Sequence, residues 1–377
     1  MGHYLNPGNA GFQTVRRNQY VDKTGLIELI NETIGTDQKL TCVSRPRRFG
    51  KSCAAKMLCA YYDRTCDSKE LFDDLSIAKE KDYHDHLNQY DVIYIDITEF
   101  LNTLDKSHAV QNISNKVTVE IVEAYPQIPK ESTLTDALLS AVGITGKPFL
   151  FIIDEWDAIF REASEDDTLQ EEYILLLRSL FKNSGVTDRI VAAAYITGIL
   201  PIKKYGTQSA ISDFREYTMV KPRRFAPYVG FTENEVKELC HESDMSFEEM
   251  QERYDGYYFE NAGHIYSPNS VMEAVKNREF DSYWSSSETY ESLRHYIDID
   301  FDGLQKDIIR MLGGDRIPVS TTAFQNDMTS IKDKNDVLTL LIHLGYLAYD
   351  DAWKTVYIPN KDVKTQFMDA VRHSENY

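Results

Sequence analysis

Four short apolar runs punctuate the first half of the chain, each bounded by polar or turn residues. They are Lys39–Ser44 (KLTCVS), Asp91–Thr98 (DVIYIDIT), Pro148–Ile153 and Arg189–Thr197, which ends IVAAAYIT. Their lengths and β-branched content predict strands, and their near-continuous hydrophobicity predicts strands buried on both faces. Between them the apolar spacing turns helical. Tyr20 to about Thr33, Lys51–Tyr62, Ala109–Ala124, Thr133–Ala141 and Gln170–Asn183 are predicted helices, with Ala54, Ala55, Met57, Leu58 and Tyr61 forming one apolar face. Strands alternating with helices predict a parallel α/β sheet with right-handed crossovers.

After Lys204 the pattern changes. Thr232–Tyr254 is predicted as one helix, opened by a capping-box arrangement at Thr232 and Glu235. The aromatic, glycine-containing stretch Tyr254–Pro268 predicts a hairpin or lid. Helices are expected at Ser270–Asn277, Glu288–Tyr296, Gly303–Leu312 and Asn335–Leu344. Two short strands around an Asp-Asp turn follow, then a helix from about Asp362. Helix, hairpin and helix predict a winged-helix-like end, a module type that binds DNA or protein or bridges domains. The division expected is 1–205, 206–315 and 316–377.

Composition adds exclusions. The apolar stretches are far shorter than the roughly 20 residues of a membrane span, so no membrane partner is expected. The five cysteines (42, 53, 59, 66 and 240) are odd in number and form no CxxC pair. They predict free thiols in a reducing cytoplasm. The net charge of −19 disfavours non-specific coating of nucleic acid. The acidity is uneven: residues 1–60 carry nine Lys/Arg against four Asp/Glu. No HExxH set and no GxSxG elbow is present. Glu235-Val-Lys237 matches half of a restriction-type nuclease site, but no acid-bearing strand precedes it.

The basic segment holds the first candidate chemistry. Arg45-Pro-Arg-Arg-Phe-Gly50-Lys51-Ser52 matches the second half of the phosphate-loop template G-x-x-x-x-G-K-[ST], with Arg45 at the first glycine position. Backbone N–H groups at a helix N-terminus favour anions. Arg47, Arg48, Phe49, Gly50, Lys51, Ser52 and Cys53 are therefore the candidate nucleotide-binding residues. Lys51 would reach the β/γ-phosphates and Ser52 would ligate Mg²⁺. Arg45, Arg47 and Arg48 would add charge or face solvent. The second piece is Phe149–Glu155, an apolar strand ending in two acids. Asp154 would hold Mg²⁺ and Glu155 would act as general base. Asp157 would cap the following helix or support the metal. Thr197, ending the fourth strand, would contact the γ-phosphate or the attacking water, or cap a turn.

With those residues in place, RPRRFGKS resembles the signature of the bacterial AAA-ATPase-like family. So do Tyr20-Val-Asp-Lys-Thr, Ile153-Asp-Glu-Trp-Asp157, Ile196-Thr-Gly-Ile-Leu-Pro-Ile-Lys-Lys204, Tyr228-Val-Gly-Phe-Thr-Glu233, Tyr254-Asp-Gly-Tyr257, Ile265-Tyr-Ser-Pro-Asn-Ser270 and Ser287-Glu-Thr-Tyr-Glu291. Trp156 stands where tyrosine is expected in much of the family. The resemblance implies a P-loop NTPase sheet of the class with an added catalytic glutamate (ASCE, AAA-like), related to AAA and STAND ATPases. It also implies a PD-(D/E)xK nuclease-like domain in many members. This chain stops about where that domain would begin, so no nuclease activity is carried over.

The function expected is Mg²⁺-dependent ATP binding with slow hydrolysis, acting as a conformational or assembly switch. No guanine-reading [NT]KxD run follows the second strand, which favours ATP. The alternative is a non-hydrolysing, nucleotide-loaded module that regulates a nuclease domain or partner. A homo-oligomer and a DNA or nuclease partner are compatible with either.

Overall fold

The structure is a computed structural model that describes residues 2–205, 208–209, 211–284, 297, 301–326, 328–329 and 331–374. The chain forms two compact units. The first is Met1–Val43 with Lys51–Glu216, and the second is Ser44–Gly50 with Tyr217–Tyr377.

In the first unit, helices α1 (Ala10–Arg16) and α2 (Gly25–Asn31) lead to strand β1 (Leu40–Ser44), and α3 spans Lys51–Tyr62. Then come β2 (Val92–Asp96), α4 (Ala109–Ala124), α5 (Leu134–Thr145), β3 (Phe149–Asp154) and the short α6 (Ala158–Glu162). Helices α7 (Asp167–Phe181) and α8 (Ser184–Ile190) precede β4 (Val191–Gly198), and β5 is Arg215–Tyr217. The sheet order is β2-β3-β4-β1-β5. The β2/β3 and β3/β4 pairs are parallel, with Asp96 beside Asp154 and Ile153 beside Ile196.

The three inner strands β3, β4 and β1 are buried along their whole length. Helices on both faces of a parallel sheet require this, and it explains their unbroken apolar runs. Helix α3 packs against β3. One strand, β4, therefore lies between the strand that leads into α3 and the strand that ends in Asp154.

Several expected boundaries shift for local reasons. The predicted strand at Arg189 begins only at Val191, because Ser184–Ile190 folds as a helix held by the Thr187 hydroxyl on the Leu180 carbonyl. The strand predicted to Thr98 stops at Asp96, whose carboxylate accepts from the Thr98 N–H and turns the chain. The single helix expected over Thr232–Tyr254 is two. The break is at Asp244, which adopts the left-handed conformation at φ 55°. The capping box at Thr232 and Glu235 is present as predicted. Helix α1 was not visible as a pattern in its seven residues.

The second unit holds β6 (Phe231–Thr232), α9 (Glu233–Ser243), α10 (Phe247–Tyr254), and the hairpin β7 (Tyr257–Phe259) and β8 (Gly263–Tyr266), with sheet order β6-β8-β7. Helices α11 (Pro268–Asn277) and α12 (Leu304–Leu312), strand β9 (Ile317–Pro318) and helix α13 (Lys334–Leu344) follow. The hairpin β10 (Ala348–Asp350) and β11 (Thr355–Tyr357) and helix α14 (Lys361–Ser374) complete it. The second small sheet has the order β9-β11-β10. The helix expected at Glu288–Tyr296 lies outside the described residues.

The segment 44–50 is anchored in this second unit. Arg45 is fully buried, and its guanidinium donates to the carbonyls of Ser44 (2.8 Å) and Tyr217 (3.0 Å). It neither faces solvent nor points outward as a charge. Phe49 is fully buried edge-on to Tyr257, with ring centroids 5.4 Å apart. Gly345, at φ +86°, sits so close to Pro46 and Trp284 that an added Cβ would lie 2.7 and 2.8 Å from them. Only glycine fits both the conformation and the approach.

Arg45→Ala removes the donor to the Ser44 and Tyr217 carbonyls and leaves a void. Urea denaturation is expected to show a loss of about 3 kcal/mol. A change within about 0.5 kcal/mol, the range of an ordinary surface substitution, would contradict this reading of Arg45.

Candidate functional site

The site in the first unit is built where three strand ends meet the start of a helix. Strand β3 ends at Asp154, and α3 begins at Lys51. Lys51 is buried, 4% exposed, with its ammonium 3.4 Å from Glu155 Oε1. Ser52 and Cys53 are exposed, and the Ser52 hydroxyl lies near enough to Asp154 to favour its charged form. The structure thus brings together Lys51, Ser52, Asp154 and Glu155, four residues singled out by their motifs.

Asp154 is almost fully buried, 1% exposed. Burial lifts its carboxyl from the ordinary carboxylate range to about 6. The Ser52 hydroxyl and the Lys51 ammonium oppose that rise, whereas the negative Glu155 and Asp96 add to it. Asp96 ends β2 as Asp154 ends β3 and pairs with it in register. The same signal, an apolar run closed by an acid, was readable in VIYID, but Asp96 was not singled out.

The residues preceding Lys51 belong to the second unit. Gly50 has φ +89° with open space beside its Cα, so the turn needs glycine. Arg48 holds φ +65°, a strained conformation for a residue with a Cβ. It donates to the Tyr283 carbonyl at 3.3 Å, and Arg47 is half-buried. Phe49 spends its side chain on the core, so it can offer an anion only its backbone N–H.

Glu155 also sits in the left-handed region, at φ +51°. Its Oε2 receives a hydrogen bond from Arg161 Nη2 at 2.5 Å. Arg161 Nε reaches Asp157 Oδ2 at 3.0 Å. Asp157 stands at the N-terminus of α6 but makes no side-chain cap bond. Its Oδ2 accepts instead from the N–H groups of Ile199 (3.1 Å) and Leu200 (2.8 Å), fixing the turn after β4. A Cβ at Gly198 would come within 2.3 Å of Asp157 Oδ1 and 2.8 Å of Trp156 Cδ1, which is why that turn carries glycine. Arg161 escaped the sequence reading. The available signal was its i,i+4 spacing from Asp157 on a predicted helix start.

Thr197 is fully buried, and its hydroxyl donates to the Val43 carbonyl at 3.0 Å, joining β4 to β1. With its proton committed, that hydroxyl can accept a hydrogen bond from a water but cannot donate one to a phosphate. The residues fit a hard divalent cation through one carboxylate and one hydroxyl. Among the described residues no cluster of three or more His, Cys, Asp or Glu could hold a metal alone. All five cysteines are free. No helix among the described residues is long and apolar enough to cross a membrane.

Because Asp154 has a raised pKa in the folded chain, its ionisation opposes folding. The penalty is absent below the usual value of 3.8 and complete above about 6. Asp154→Asn is therefore expected to raise the thermal midpoint at pH 7.5, with the gain shrinking as the pH falls from 6 towards 4. A variant less stable than wild type at pH 7.5, or a gain independent of pH, would contradict the assignment of Asp154 as a desolvated, functionally held carboxylate.

Comparison with known proteins follows this geometry. No curated protein matches the chain in sequence. Two solved structures align over most of it. One is AMPPCP-bound DnaA from Aquifex aeolicus, at 11% identity over 96% of this chain and 90% of that one, with a TM-score of 0.34. The other is the Aeropyrum pernix ORC2 protein in ADPNP–ADP complexes, at 12% identity over 96% and 98%, with a TM-score of 0.36. Superpositions this loose carry no functional weight. The family model "AAA-ATPase_like: Predicted AAA-ATPase" matches residues 8–208, more than half of the chain. That span contains Lys51, Ser52, Asp154, Glu155, Asp157, Arg161 and Thr197, and membership supports nucleotide binding. The chain belongs to the predicted AAA-ATPase family.

Proposed function

We propose that the chain binds ATP with Mg²⁺, hydrolyses it slowly, and uses nucleotide occupancy to switch conformation or assembly state. The observation that carries this reading is the buried Lys51 ammonium held 3.4 Å from Glu155, next to an Asp154 lifted to about 6. A lysine this buried needs an anionic partner. Glu155 supplies one in the resting chain, and the β/γ-phosphates of a nucleotide would supply another.

In the loaded state Lys51 neutralises the phosphates at the N-terminus of α3, whose first N–H groups favour an anion. Ser52 and Asp154 would hold Mg²⁺. When bound, the metal neutralises developing charge on the phosphate oxygens. Glu155, released by Lys51, takes the proton from the attacking water through Oε1. The Thr197 hydroxyl, its proton on the Val43 carbonyl, accepts from that water and helps orient it. The backbone N–H groups of Lys51, Ser52 and Cys53, at the start of α3, cradle the phosphates.

A second reading is a nucleotide-loaded module that engages DNA or a protein partner through its C-terminal helices and hairpin. What favours it is Trp353, 79% exposed at the turn between β10 and β11. The succession of α13, the β10–β11 hairpin and α14 supports reading this end as winged-helix-like. Steady-state phosphate release measured with and without DNA separates the two readings.

Calorimetric titration of Mg²⁺-ATP into Lys51→Ala is expected to give no binding heat. Glu155→Gln is expected to keep wild-type affinity while phosphate release falls by about 100-fold or more. Unchanged ATP affinity in Lys51→Ala would overturn the site. Turnover absent from the wild type under all conditions would favour the binding module.

A further inference from the structure

The geometry points to Arg161 as a positioning residue that orients Glu155 for proton transfer and ties it to the turn after β4. This inference rests on the hydrolytic role proposed for Glu155. Arg161 lies on α6, outside every motif considered above, and its side chain is only 6% exposed. Its guanidinium reaches two different carboxylates: Nη2 donates to Glu155 Oε2 at 2.5 Å and Nε to Asp157 Oδ2 at 3.0 Å. Asp157, 1% exposed, is itself fixed by the N–H groups of Ile199 and Leu200.

The result is a continuous chain of contacts, Lys51–Glu155–Arg161–Asp157–Ile199/Leu200, within one unit. Its two ends are the lysine proposed to bind phosphate and the turn that follows Thr197. Within this chain Glu155 Oε1 faces the Lys51 ammonium and Oε2 the Arg161 guanidinium. When a nucleotide draws Lys51 away, Oε1 gives up that ammonium while Oε2 remains on the guanidinium. A carboxylate fixed in this way presents one defined lone pair to a water instead of rotating. The logic is that of a base held in orientation by a third group. The left-handed backbone of Glu155 adds to the restriction, since a residue with φ +51° persists only where its surroundings determine it.

Lysine could not take the role. Its ammonium is a single point charge on a flexible stem, whereas the planar guanidinium spans both carboxylates with fixed geometry. Arg161 touches neither the phosphates nor the reacting water in this scheme, so its effect should appear in turnover and not in binding.

The test compares Arg161→Ala, Arg161→Lys, Glu155→Gln and the double variant Glu155→Gln/Arg161→Ala in steady-state ATPase assays. Arg161→Ala is expected to lower kcat by about 10- to 100-fold, the cost of a misplaced catalytic group. KM for ATP should stay within about twofold, since uniform binding is untouched. Arg161→Lys, which keeps the charge and guards against simple misfolding, is expected to recover only part of that loss. Added guanidinium or methylguanidinium ion at millimolar concentration is expected to restore kcat in Arg161→Ala and not in wild type. In the double variant, Arg161→Ala should add little to the loss caused by Glu155→Gln.

Full kcat in Arg161→Lys would overturn the inference. So would a loss in the double variant equal to the product of the single losses, because that would mark a merely structural role. If Glu155→Gln itself keeps wild-type turnover, the hydrolytic reading of Glu155 fails, and the outcome is distinguishable from a failure at Arg161.

Discussion

The ion pair between Lys51 and Glu155 is the constraint on which the rest of the site depends. A lysine with 4% exposure is costly to bury unless an anion stands beside it. Glu155 meets that need, but only by adopting a strained left-handed backbone and by sharing its carboxylate with Arg161. The buried Asp154 next to it carries a further cost, visible in its raised pKa. Buried charges and strain concentrated at the open ends of an apolar sheet are poor choices for stability. They make physical sense as groups kept ready for a highly charged ligand.

The sheet explains why those groups meet. Parallel strands place all their C-terminal ends on one edge, so acids that close β2 and β3 come into register as Asp96 and Asp154. Inserting β4 between β1 and β3 sets Thr197 and the Gly198 turn beside the acids. Asp157 then locks that turn through two backbone N–H groups, and Gly198 has no Cβ because the Asp157 and Trp156 side chains occupy the space. Each residue has a packing reason as well as a chemical one, which is characteristic of a site supported by the scaffold beneath it.

Much of this was legible in the sequence, and the parts that were not share a physical cause. The strands β1 and β3, helix α3 over Lys51–Tyr62, the capping box at Thr232 and the hairpin after Tyr254 were all signalled by local periodicity or local hydrogen-bonding chemistry. Lys51, Ser52, Asp154 and Glu155 were signalled by motifs whose spacing is set by the fold. What local pattern could not give was the direction of side chains after folding. Arg45 looked like a free charge and is a buried donor to two carbonyls. Phe49 looked like part of a ligand cradle and is a core ring. Asp157 looked like a helix cap and instead holds a turn 42 residues away. Arg161 had no motif at all. For Arg45, Phe49 and Asp157 the deciding partner, Tyr217, Tyr257 or the Ile199–Leu200 turn, is distant in sequence, beyond the reach of a periodic or spacing signal, whereas Arg161 had only its i,i+4 spacing from Asp157 to mark it. The short helices Ala10–Arg16 and Ser184–Ile190 were missed because seven residues carry too little periodicity.

The central claim is that the resting Lys51–Glu155 pair stands in for a nucleotide contact, while the Glu155–Arg161 pair does not. A crystal structure of the chain with Mg²⁺ and a non-hydrolysable ATP analogue tests it most directly. The account predicts that Lys51 Nζ leaves Glu155 for the β/γ-phosphates, while Arg161 remains on Glu155 Oε2 and Asp157 Oδ2. Phosphates bound elsewhere, with Lys51 still paired to Glu155, would contradict it.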